Sequence, residues 1–129
     1  MNHFRTVMLA GACVLSGAAF IALPALADGP KAIQTAATHA GLAAKADKVE
    51  TVHMHLHHVL NCLVGPGGEG FDAAPGNPCG QAGGAIPQTE DAGEKAKLEA
   101  AAAEARKGIA DDDLGAAQKV AADLQTELK

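Results

Sequence analysis

The sequence predicts an all-α protein, a four-helix bundle made of two helical hairpins joined by a long Gly/Pro-rich crossover loop. Three observations predict it. Alanine-rich stretches with helix-capping residues flank one segment dense in glycine and proline. Apolar positions recur at three- and four-residue spacing, and nothing after residue 27 alternates at period two.

The chain opens MNHFRTVMLAGACVLSGAAFIALPALA, with Arg5 as its only charge, an apolar middle and Ala25-Leu26-Ala27 before Asp28. That order is the pattern of a cleaved secretory signal peptide, so residues 1–27 are expected to leave and 28–129 to form one helical domain in the periplasm or outside the cell. A membrane anchor is the competing reading, since Val7 to Leu26 is nearly long enough to span. With the leader gone, no membrane association is expected.

Pro30 suits a first helical turn, and KAIQTAATHAGLAAKA predicts a helix over about 31–44. Asp47 followed by Glu50 has the capping-box spacing and predicts a second helix over about 48–64, ended by Gly65-Pro66. One continuous helix through Gly41 and Asp47 is the alternative, because no proline interrupts it. Residues 65–87 hold eight glycines and four prolines, so 65–89 is expected to be an irregular loop without helix. EDAGEKAKLEAAAAEARK predicts a third helix stopped by Gly108; Asp111, Asp112 and Asp113 offer caps for a fourth, LGAAQKVAADLQTELK. Leu114, Ala117, Ala121, Leu124 and Leu128 form its apolar stripe.

Cys62 and Cys79 survive the leader. In an oxidising compartment a pair of cysteines favours a disulfide, and closing this loop stabilises by about 3 kcal/mol. The bridge would fold the loop back onto the second helix.

Composition excludes several functions. Loss of Arg5 leaves nine basic against fifteen acidic residues, a formal charge of −6, so nucleic acid is not an expected partner. Phe71 is the only Phe, Tyr or Trp after the leader, too little for an aromatic ligand pocket. No H-E-x-x-H, G-x-S-x-G or phosphate-cradling loop is present, so the protein is expected not to be an enzyme.

What remains is VHMHLHHVLNCLV, residues 52–64, with four histidines in six positions. On a helix, Val49, Val52, Leu56, Val59, Leu60 and Leu63 form the core stripe. His53 and His57, spaced i, i+4, border it and could converge on one ion with His39 from the first helix as third ligand. His55, His58 and Cys62 gather on the far side, within about 60° of arc. A reduced Cys62 would join those two imidazoles as a copper or zinc ligand set. A bonded one would instead pin the loop over them, where Asp72, Asn77 or carbonyl oxygens could assist. Met54 adds a soft thioether to that outward face. Imidazole ligands suit copper, zinc and nickel, and copper binds tightest of the divalent ions.

The combination of leader, alanine-rich helices and helically spaced histidines resembles the small histidine-rich periplasmic metal-binding proteins that fold as four-helix bundles. The resemblance implies a metal-ion protein for storage, delivery or resistance. It departs from that group in concentrating its histidines at residues 53–58 and in adding the Cys62–Cys79 loop, which implies one or two sites instead of a high-capacity buffer. Two other readings stand beside it. One is a non-enzymatic accessory protein whose histidine surface docks a partner or a second copy; the other is a bundle holding haem non-covalently, since C-x-x-C-H is absent.

Overall fold

The computed structural model describes residues 28–129; the expected leader, residues 1–27, lies outside the described residues. The described chain is helical, with α1 over Gly29–Ala43, α2 over Val49–Val64, α3 over Ala85–Gln88, α4 over Ala92–Ile109 and α5 over Leu114–Glu127, plus a 3-10 turn at Gly80–Ala82. No strand forms among these residues. None of these helices is long and apolar enough to cross a membrane.

Helix α1 begins two residues earlier than expected because Pro30 stands in its first turn, where a missing N–H costs nothing and the ring pre-sets φ. Its buried face is built from Ala32, Ala36, Ala37, Ala40, Gly41 and Ala43, side chains small enough for neighbouring helices to come close. A Cβ on Gly41 would overlap the Gln125 amide of α5. The chain then breaks between Ala44 and Lys48, so α1 and α2 are two helices and not one. Gln118 of α5 fastens this break by donating to the Ala46 carbonyl at 2.7 Å.

The capping box expected at Asp47 and Glu50 does not form. Lys48 occupies the N-cap with no side-chain bond, which leaves Asp47 one residue too early to reach the free N–H groups. Glu50 still lies in the first turn, where its charge complements the helix dipole. At the other end Gly65 stops α2 as expected. Its φ is 73°, and a Cβ there would overlap the backbone nitrogen of Gly84.

Two expectations are corrected further along. The glycine-rich segment carries the 3-10 turn and α3, although it was expected to hold no helix. Pro87 is the third residue of α3, and a first-turn N–H has no intrahelical acceptor to lose. Gly108 does not end α4, which runs through it to Ile109. It is buried instead, and an added Cβ would stand 2.7 Å from Leu56 Cδ1 and 2.9 Å from Val120 Cγ1. The glycine lets α2, α4 and α5 meet.

Side chains cap both helices of the second hairpin, the later one from the expected aspartate run. Asp91 accepts from the Glu94 N–H at 2.7 Å and Asp113 from that of Ala116 at 2.8 Å, each worth about 1 kcal/mol. Helix α1 packs on α2 and α5, and α4 packs on the same two, with α2 also reaching α5. Leu56, Leu60, Leu63, Val52, Val59 and Leu124 are the bulkiest apolar side chains fully enclosed. Alanines from α1, α4 and α5 fill most of the remaining core, and Phe71 rests half-buried on its edge.

Candidate metal centre

Because α1 and α2 run antiparallel from the Ala44–Lys48 turn, His39 on α1 is level with the histidine cluster of α2. It meets His55 and His58. His39 Nδ1 stands 3.2 Å from His55 Nδ1 and 3.3 Å from His58 Nδ1, and the three rings lie with centroids 4.7–5.7 Å apart. All three are half-buried, and they form the one group of three such ligand residues among the described residues.

The spacing has a chemical meaning. A metal held at about 2.0–2.1 Å by tetrahedral nitrogens separates those nitrogens by about 3.3–3.4 Å. The two distances from His39 fall next to that value with no movement of either helix. In the metal-free molecule a proton on His39 Nδ1 can point to either neighbour. Binding a metal at Nδ1 would take the other neutral tautomer of His39, with the proton moved to Nε2 and the Nδ1 lone pair freed.

The third ring is held from behind. His58 Nε2 donates to the Pro75 carbonyl at 2.7 Å; a neutral imidazole carries one N–H, so the lone pair is on Nδ1, facing His39. Burial, followed by the imidazoles of His58 and then His55, lowers the His39 pKa from 6.5 to about 4. Burial and His58 lower that of His55 as well. Both therefore present lone pairs, not charges, at neutral pH.

The other expected pairing does not assemble. His53 and His57 belong to no three-ligand group among the described residues, and His39 turns away from them to His55 and His58. His53 Nε2 instead donates to the Asp111 carbonyl at 2.9 Å, joining α2 to the turn between α4 and α5. His57 Nδ1 is buried without a hydrogen-bond partner. Met54 is exposed on α2. Cys62, placed by periodicity on the outward side, is fully buried, and its sulfur lies 2.03 Å from that of Cys79. At disulfide distance it is no thiolate donor.

Two contributors were not singled out from the sequence. The Pro75 carbonyl leaves no side-chain signal. Asn61 does: it interrupts the apolar run VLNCLV, and it is the one polar side chain fully buried among the described residues. Its amide donates to the carbonyls of Asp72 at 2.6 Å and Gly76 at 2.8 Å and accepts from the Asp72 N–H at 3.0 Å. Those three bonds fix the loop that carries Pro75.

Axial haem ligation needs two imidazoles on opposite sides of a porphyrin plane. Three rings in mutual contact leave no room for that plane between them. Comparison of the chain with protein-family models, with curated proteins and with solved structures finds no match in any of the three.

Proposed function

We propose that this chain is an exported, periplasmic metal-binding protein of four-helix-bundle architecture that holds one first-row transition-metal ion through His39, His55 and His58. The observation that carries the reading is the convergence of three Nδ1 atoms from two helices at 3.2 and 3.3 Å. Copper is favoured, because imidazole sites bind Cu(II) most tightly among the divalent ions, and Met54, exposed on the same helix, offers a thioether suited to Cu(I). Zinc and nickel fit the same donors. The leader pattern of residues 1–27 supports export, and storage, delivery or resistance are the uses that fit a bound ion.

The accessory-protein reading has one observation in its favour: Leu42 and Met54, the exposed large apolar side chains among the described residues, sit on the two helices that carry the histidines. Metal analysis separates the two readings. Protein isolated without chelator or affinity tag is expected to carry about one copper or zinc per chain. After stripping, it is expected to rebind one ion, and a free metal concentration a hundredfold above Kd raises its unfolding free energy by about 2.7 kcal/mol. Absence of metal on isolation together with no binding on titration would overturn the metal reading in favour of docking.

A further inference from the structure

The segment between α2 and the 3-10 turn is long for a connection, yet it is fastened at four points. Arg106 of α4 donates through Nη2 to the Glu69 carbonyl at 3.2 Å. Asn61 holds Asp72 and Gly76 by its three amide bonds. Pro75 accepts from His58 Nε2, and Cys79 is joined to Cys62. Gly76 makes the last approach possible: its φ of 103° turns the loop beneath the imidazole, with its Cβ position 3.6 Å from His58 Nε2.

These attachments are ordered along one helix. His58, Asn61 and Cys62 are three and four residues apart on α2, so they share a face and grip the loop in succession. The loop in turn decides how His58 is presented. With Pro75 against Nε2, the ring is held in one orientation and its Nδ1 lone pair points to His39. Without the loop, the ring is free to rotate and to exchange its proton with water.

Resting on the metal-binding reading above, we infer that the loop is a thiol-sensitive latch on the metal site: the Cys62–Cys79 bridge and Asn61 hold the Pro75 carbonyl against His58, and reduction of the bridge weakens metal binding. The reductant is a dithiol. Its thiolate attacks Cys79, which is half-exposed beside a cleft of about 140 Å³ lined by Lys31 and Thr35, while Cys62 is enclosed. Cys62 leaves as a thiolate and takes a proton. The reductant's second thiol then attacks the mixed disulfide, so that two electrons and two protons pass to the protein and the reductant is released as its own disulfide. Asn61 is a positioning residue, acting on metal only through Pro75 and His58.

Zinc titration of the oxidised protein tests this, since zinc does not itself oxidise thiols. The double substitution C62S/C79S opens the latch without adding thiolate ligands, and is expected to weaken zinc binding about ten- to a hundredfold, the usual range for losing a group that orients a ligand. In a His58→Ala background the same pair of serines is expected to cost nothing more. Unchanged affinity in C62S/C79S, or an equal loss whether or not His58 is present, would overturn the latch.

A second measurement on the unmutated chain guards against misfolding of the serine variant. The His58 Nε2–H proton resonance is expected to be visible in the oxidised protein, to vanish on reduction with a phosphine and to return on reoxidation. Its persistence after reduction would overturn the latch. If oxidised protein binds zinc and His58→Ala weakens that binding, while opening the bridge does not, only the latch fails. If oxidised protein binds neither zinc nor copper, the metal reading fails and the latch with it.

Discussion

Helix α2 carries two pairs of histidines on different sides, and their neighbours put them to different uses. His55 and His58 face α1 and the tethered loop, where His39 supplies a third imidazole and Pro75 fixes a proton. His53 and His57 face elsewhere. The first of these bonds a backbone carbonyl at the α4–α5 turn, and the second has a buried nitrogen with no partner. The i, i+4 pair has the tidier sequence spacing, but the i, i+3 pair has the neighbours. A ligand set needs lone pairs that converge, and convergence on one small ion is supplied by the next helix.

The strongest way to break this comparison is to remove each pair in turn. The double substitution H55A/H58A is expected to lower metal affinity by more than about a hundredfold, because it removes ligands and not merely the groups that orient them. H53A/H57A is expected to leave affinity within about threefold. Calorimetric titration of both variants decides it, and the reverse ranking would return the site to the i, i+4 pair.

A smaller effect separates scaffold from site. Gly108→Ala places a methyl group against Leu56 and Val120 at distances of 2.7 and 2.9 Å to their nearest atoms. Overpacking of this kind costs about 1–3 kcal/mol, to be read from denaturant unfolding of metal-free protein. Metal affinity per folded molecule is expected to stay unchanged. A large loss of affinity would show that α4 packing reaches the histidine triad after all.

The mildest test is pH. Unfolded His39 takes up its proton near 6.5, while the folded protein resists it down to about 4. Between those values the unfolded chain binds more protons, so this contribution to stability is fully present above about pH 6.5 and is lost as the pH falls toward 4. His55 acts in the same direction. The unfolding free energy of metal-free protein is expected to decline across that window, with a shallower slope in His39→Gln. An identical slope in the variant would show that the triad does not carry the effect.

Much of the scaffold was legible locally. The caps at Asp91 and Asp113 and the stop at Gly65 follow from turn and capping chemistry that reaches only a few residues. The apolar stripe of α2 is buried as periodicity placed it, with Val49 at its half-exposed end. Gly108 shows the limit of that reasoning. As a sequence signal it is a helix stop, but as a position in space it is the room that α2 and α5 need beside α4.

The site divides along the same line. Sequence alone determined the four long helices, their order and a rich supply of imidazoles on α2, because hydrogen bonds between residues four apart and the 3.6-residue period are properties of a single segment. It also made Cys62 and Cys79 natural partners, the two cysteines after residue 27. Only the tertiary structure decided that His39 joins His55 and His58, that His53 serves the α4–α5 turn, and that Asn61 and Pro75 hold the third imidazole. Those outcomes depend on how one helix is rotated against another and on where a glycine-rich loop returns. A rotation of a few tens of degrees changes which side chains meet while leaving every local pattern in the sequence the same.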